Sequence, residues 1–523
     1  MREGRPFPDP LTSVSRAAVI LLTFAACSAP DPRIPARDGP LVIDVRYPTV
    51  GTRVPAVESV AVWGTLGTGR AKLMVNTAEV TVEANGTFAA FLPVPPGLSP
   101  SLRFVARRSR DSVVHSIALD RGTRPSTPTT GAAARDDGPQ AWNRWVTMQR
   151  LPSDTADSAT QWRPIYARFR PGGEVALGIA QGIRLFSDAR TAQAMRLVLA
   201  ADQRVWIPRV DADTLTRPRA RILRAGAPTV TNITSSDEML IAVPLPERLP
   251  SVVELSGDRL LWTIFGAQWG RRPAAVDGDG STIRRIVPSD SAAGQVVIDL
   301  GLASLPLGWR VEWHAGALQL RVRRRASPSK SLAGLIVAID PGHPPDGTTG
   351  PSRLMEDSVT LAVSAVAAAQ LRALGATVML TRTNGHPLSL EARAVVAEQS
   401  PAHVFVSLHL NAPGPGRPPS AVYGTQTFWM NANGRALAQL LLVEVAKAMG
   451  QPAIGMYQGE FAVLRPAWAA AVLVEGTGIV VPEREAFLRT PEGVEAYARG
   501  VVRGIERWHR MSSTRAIPAR PDR

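Results

Sequence analysis

The feature that most constrains the fold is a change of periodicity near residue 330. Between residues 41 and 325 the apolar residues fall in short β-prone runs separated by turn signals and a linker, with no long amphipathic helix. After residue 333 similar runs alternate with helical patterns. A chain that switches in this way does not belong to one fold class throughout. At 523 residues it also exceeds what a single core supports, so several domains follow. The sequence therefore predicts a multidomain protein: N-terminal all-β modules, sandwich and SH3-like, then a C-terminal α/β domain with a mostly parallel sheet flanked by helices.

Within the β region, "LVIDVRYP" and "VAVWGTL" are strand runs, and "EVTVEANGTFAAFLPV" predicts a hairpin turning at Asn85-Gly86. Residues 41–120 read as an immunoglobulin-like sandwich and 121–140 as a linker by composition. Residues 141–215 read as a small SH3-like β domain and 216–326 as a second sandwich. Nine of the twelve tryptophans precede residue 320, where filling β cores explains them better than stacking on carbohydrate.

The N-terminus reads as an export signal. Arg2, Arg5 and Arg16 precede "AAVILLTFAA" (17–26), an apolar run too short to span a bilayer but suited to a secretory h-region. It ends at Cys27, the only cysteine, so no intramolecular disulfide is possible. A lone cysteine after "FAA" resembles the lipobox of bacterial lipoproteins, which usually has Leu where Phe24 stands. Residues 1–27 are thus expected to be a signal peptide of lipoprotein type, with Cys27 as lipid anchor, and the Pro-rich 28–40 a tether. The expected location is the cell envelope or periplasm. The net charge of +15 comes from 59 basic residues of which only Lys72, Lys330 and Lys447 are lysines, a skew that hints at an anionic surface. No zinc knuckle, RNP-like aromatic pattern or basic helix points to nucleic acid.

In the α/β region, "LIVAID", "ATVMLTR", "HVFVSLHLNA", "GTQTFWM" and "AAVLVEG" are strands. "SVTLAVSAVAAAQLRALG" is a helix with Val359, Ala362, Val363, Val366 and Leu371 on one side, stopped at Gly375. "SLEARAVVAEQ" is a helix capped by Ser389, and "GRALAQLLLVEVAKAMG" and "PEGVEAYARGVVRGIERWHRM" complete the set. Residues 333–512 thus form the α/β domain, followed by a basic disordered tail, 513–523. Catalytic groups in such sheets gather beyond the carboxyl ends of strands. His343 follows "VAIDPG", His409 ends "VFVSLH", Glu475 ends "AVLVE", and Glu356 opens the first helix. Two histidines and a glutamate supply a His₂Glu set with an open position for a Zn²⁺-activated water, and a further carboxylate can shuttle the proton. Singly, each has a plainer explanation: a loop histidine, a helix-N-terminal acid, a satisfied core histidine. Glu475 is the hardest to explain that way, because a carboxylate ending a buried strand needs a partner.

The series "IVAIDPGH", "EDSVTLAVS", "LRALGATVMLTRTNG", "SLEAR", "VFVSLHLNA", "GTQTFW" and "VLRPAWAAAVLVE" resembles the zinc-dependent N-acetylmuramoyl-L-alanine amidases of the amidase type 3 family. That resemblance implies zinc on His343, Glu356 and His409, Glu475 as the catalytic acid/base, and peptidoglycan as partner and substrate. Asn411 and Arg393 also match family positions. Residues 216–326 resemble the wall-binding β modules that precede such amidases. The chain departs at Pro344-Pro345, where the family has Gly-Gly, and at Asp357, where it has Lys. It departs again at Thr477, Gly478 and Val481, where the family tends to read Gly-Phe and then Asn. The short, Pro/Gly-rich 411–424 leaves no room for the autoinhibitory helical insertion of some relatives, which implies an open cleft. Two other readings remain at this point: an inactive wall-binding envelope lipoprotein, and a zinc peptidase or deacetylase acting on another amide.

Overall fold

The structure, a computed structural model, describes residues 34–54, 57–121, 138–149, 164–215, 222–233, 237–290, 294–325 and 331–511. The expected signal with Cys27, the start of the tether, most of the 121–140 linker and the basic tail lie outside the described residues. No helix among the described residues is long and apolar enough to cross a membrane.

Up to residue 325 regular structure is almost entirely strand. In the first module a three-stranded sheet (Asp44–Tyr47, Ser59–Thr65, Thr87–Pro93) and a four-stranded sheet (Lys72–Val75, Ala78–Val80, Ser101–Arg108, Asp111–Ala118) share one core around Val62, Leu73, Phe88 and Phe104. The expected hairpin at Asn85-Gly86 is corrected here. The tight turn exists, with Asn85 Oδ1 accepting the Thr87 N–H at 3.0 Å and Gly86 at φ +86°. Its flanking strands do not pair, however: Ala78–Val80 joins Lys72–Val75 while Thr87–Pro93 joins Ser59–Thr65. The turn carries the chain from one sheet to the other, so that Val80 and Phe88 enter the same core from opposite sides.

The strands at 140–148 and 165–214 make one antiparallel seven-stranded sheet over a core of Val146, Ile165, Leu197 and Ile207. The next module stacks four- and five-stranded sheets around Ile241, Trp262, Ile298 and Leu320. Its strand Gln295–Leu302 alternates half-buried and buried residues without a break, the period-2 pattern of a sheet with one face inward.

The C-terminal domain is a mixed six-stranded sheet. Its strands are β1 (Ile336–Pro341), β2 (Thr377–Leu380), β3 (Val404–Asn411), β4 (Thr425–Trp429), β5 (Ala453–Gln458) and β6 (Ala470–Gly478), in the order β2-β1-β3-β6-β4-β5. Neighbours run parallel except β4 against β6. Alternate residues of the strands serve two layers. Val337, Ile339, Val404, Val406 and Leu408 face helices α1 (Glu356–Ala373), α3 (Arg435–Ala448) and α5 (Pro491–Met511). Ala338, Phe405 and Leu473 face α2 (Leu390–Gln399). A short α4 (Pro482–Leu488) precedes α5.

The helix ends follow local chemistry. Ser389 caps α2 by accepting the Ala392 N–H, and Gly375, at φ +95°, stands just past the end of α1. The buried stripe of α1 is Val359, Thr360, Val363, Ser364, Ala367, Ala368 and Leu371. Ala362, expected on that side, is exposed. Ala367 and Ala368 instead enter the buried cluster shared with Val501 and Ile505 of α5. From β1 the chain moves outward to β2 and then returns to the other side of β1 to form β3. The carboxyl ends of β1 and β3 therefore flank a topological switch point, where an α/β sheet opens a crevice.

Candidate metal centre

His343 stands two residues beyond β1, Glu356 is the first residue of α1, and His409 lies late in β3. β3 ends at Asn411, within the run read as a strand, while β6 continues past the expected "AAVLVEG" to Gly478. The three side chains converge. His343 Nε2 lies 3.3 Å and His409 Nδ1 3.2 Å from Glu356 Oε1, and one donor atom from each residue falls within 4.8 Å of the others. The two imidazole rings meet nearly edge to face, 4.9 Å between centroids. A tetrahedral ion with bonds of about 2.0–2.1 Å needs donors about 3.3 Å apart, the separation seen on both edges to Glu356. These three residues could hold a metal ion.

Each donor is aimed by its surroundings. The Pro345 carbonyl lies 3.0 Å from His343 Nδ1, where it accepts a hydrogen bond from the tautomer protonated at Nδ1 and leaves the Nε2 lone pair free on the Glu356 side. Glu356 accepts the Thr348 N–H at Oε2 (2.8 Å) and the Leu410 N–H at Oε1 (2.9 Å). Burial opposes its charge, but the hydrogen bonds and charges of His343 and His409 hold the carboxyl well below the usual carboxylate range. His343 responds in reverse: burial lowers its affinity for a proton, yet Glu356 raises it above the ordinary value.

The turn carrying His343 is fastened from beneath by two arginines. Arg393, buried, donates to Asp340 (2.6 Å) and to the carbonyls of Pro341, His343 and Pro344. Arg382 donates to the carbonyls of Pro341, Gly342 and Asp357. His343 has φ +58°, unusual for a side chain with a β-carbon, and Arg393 grips the carbonyls on either side of the next peptide. Asp340 also accepts the Ser407 hydroxyl at 2.6 Å, tying β1 to β3. Tyr497 of α5 donates to the His409 and Val474 carbonyls, fixing β3 against β6.

Glu475 pairs in register with His409 across β3 and β6 and with Gln426 across β4. Its Oε2 is buried and has no hydrogen-bond partner among the described residues. Burial pushes this carboxyl up to about 7; the imidazole of His409 opposes the shift and the Glu356 charge adds to it. A carboxyl so placed can exchange a proton near neutrality. Asn411 donates to Gln426 Oε1 at 3.0 Å, bordering the same strand end. Sequence reasoning named His343, Glu356, His409, Glu475, Arg393 and Asn411; it missed Arg382, Thr348, Asp340 and Tyr497. Arg382 carried a signal, since an arginine that ends the apolar run "ATVMLTR" at the edge of a buried sheet must find partners. The 411–424 segment contains only one 3-10 turn, Pro419–Val422, and no α-helix.

Residues 337–507 match the family described as N-acetylmuramoyl-L-alanine amidase. The uncharacterized protein YqiI of Bacillus subtilis is 27% identical over 210 residues, spanning 38% of this chain and 98% of YqiI. The N-acetylmuramoyl-L-alanine amidase LytC of Bacillus subtilis is 30% identical over 146 residues, 28% of this chain and 29% of LytC. The crystal structure of an N-acetylmuramoyl-L-alanine amidase from Clostridium difficile 630 is 29% identical, covering 34% of this chain and 97% of that one, with a TM-score of 0.32.

Proposed function

We propose a zinc-dependent mechanism for this enzyme, whose residues 337–507 belong to the N-acetylmuramoyl-L-alanine amidase family: hydrolysis of the amide between the lactyl group of N-acetylmuramic acid and the L-alanine of the peptidoglycan stem. The observation that carries it is the meeting of His343, Glu356 and His409 donors beside the unpartnered Oε2 of Glu475. His343, Glu356 and His409 would hold the ion, which when bound supplies Lewis acidity to the scissile carbonyl and a lowered pKa to water.

Glu475 Oε2 takes a proton from the attacking water as the C–O bond forms. It returns that proton to the alanine nitrogen as the C–N bond breaks, leaving a free lactyl carboxyl and a stem peptide with a new amino terminus. Its raised affinity for a proton suits both halves of the exchange. Arg393 and Arg382 keep the His343 turn in place while this happens. The preceding β modules fit a role in holding the wall, and export with a lipid on Cys27 fits an enzyme acting in the envelope. The test is digestion of purified peptidoglycan followed by mass spectrometry. Release of stem peptides beginning with free L-alanine, abolished by chelation and restored by zinc, is expected; cleavage of a different bond would replace this reading.

A further inference from the structure

The first β module, more than two hundred residues upstream, reaches the segment that leads into Glu356. Trp63 is only 5% exposed and stacks on Tyr47 at 4.5 Å between ring centroids. Its indole N–H donates to the Thr349 carbonyl at 3.0 Å. Thr349 directly follows the residue whose N–H fixes Glu356 Oε2, and the Thr348 carbonyl in turn accepts the Glu356 N–H at 3.0 Å. On the same side Arg353 donates to Asp44 Oδ2 at 2.8 Å. From within the catalytic domain, Glu485 accepts the Ser352 and Leu354 N–H groups. The segment is thus held between α4 on one side and the first module on the other.

The same module touches the loop after His409. A β-carbon on Gly416 would come within 2.9 Å of Val57. Ala61 and Trp63 also belong to the apolar cluster formed by Val359 and Val363 of α1. The module's edge therefore bears on the segment that precedes Glu356 and on the loop that follows the His409 strand.

We infer that Trp63 is a positioning residue for the metal centre, setting through its hydrogen bond to Thr349 the place of the Thr348 N–H and hence the orientation of Glu356. This rests on the reading of His343, Glu356 and His409 as metal ligands. The indole N–H of a buried tryptophan requires a partner and finds it in the carbonyl of half-buried Thr349, so their bond fixes the segment in a way that apolar packing alone does not. Groups that orient a metal ligand typically govern metal affinity by about 10–100-fold. Acting one bond further away, Trp63 should contribute about 3–10-fold.

The experiment uses the full chain, freed of metal, with zinc affinity measured by competition against a chromophoric chelator. Trp63→Phe keeps an aromatic ring beside Tyr47 and removes the N–H donor together with part of the indole's volume; Phe104→Leu, a volume loss in the module's own core, destabilises without touching Thr349. Trp63→Phe should weaken zinc binding by about 3–10-fold and speed amide hydrogen exchange across residues 348–356 in the metal-free protein. Phe104→Leu should lower Tm and leave zinc affinity at the wild-type value. Wild-type affinity and exchange in Trp63→Phe, or equal weakening by Phe104→Leu, would overturn the inference. A wild-type protein that binds no zinc would instead defeat the proposed function, and the exchange comparison would still decide whether Trp63 orders the segment.

Discussion

Gly342 lies so close to His409 that a β-carbon on it would come within 2.5 Å of the imidazole Cε1 and 2.6 Å of the Leu408 carbonyl oxygen. Neither neighbour yields easily: one is backbone of a central strand, the other a ring already held against Glu356. Gly342→Ala should therefore displace His409, cutting zinc affinity and wall hydrolysis by at least about 10-fold. Zinc content after dialysis and release of dye from labelled peptidoglycan would measure the two effects.

Glu475→Gln preserves shape and removes the carboxyl proposed to move the proton. The variant should keep its zinc and its Tm while wall hydrolysis falls by about 10²–10⁴-fold. Undiminished release of muropeptides would take Glu475 out of the chemistry.

Arg393 and Asp340 form an ion pair at 2.6 Å with side chains 3% and 0% exposed. Removing one partner strands the other charge in the interior, and it also frees the carbonyls of the His343 turn. Arg393→Leu should cost about 3–5 kcal/mol in chemical denaturation. Arg393→Lys keeps the charge but cannot span Asp340 and several carbonyls at once, so it should fall between the two.

His403 gives a pH signature away from the active site. Burial lowers this imidazole to about 4, with Arg323 adding to the effect, and its Nδ1 accepts the Ile336 N–H. The unfolded chain, with an ordinary histidine, binds more protons than the folded one between those values. Stability from this residue is therefore intact above pH 6.5 and is lost as pH falls toward about 4. His403→Asn, which retains an acceptor, should flatten the dependence of the denaturation midpoint across that window. Parallel curves for the two proteins would contradict the assignment.

Much of the C-terminal domain was legible because its signals are local. Alternating apolar runs gave β1, β3 and β6, a serine cap and a glycine stop bounded α2 and α1, and His343, Glu356 and His409 could be placed at strand and helix ends. What escaped was short or non-local. The seven residues of α4 and the half-exposed β5 carry too little periodicity to stand out. The Asn85-Gly86 turn was recognised, but turn chemistry does not say which sheet receives the next strand. Arg382 and Tyr497 serve backbone carbonyls, which leave no complementary residue in the sequence. The Trp63–Thr349 bond spans 286 positions, and no periodic pattern reports on such a pair.

The interior beneath α1 is closed partly by Ala61, Trp63 and Leu307, which come from ahead of the α/β domain. Gene rearrangements that graft this catalytic block onto a new partner would leave a greasy seam bare unless the newcomer brings its own cover. Shuffling in evolution should thus have moved these pieces together, and a recombinant piece cut ahead of Leu332 should clump where the longer chain stays dispersed.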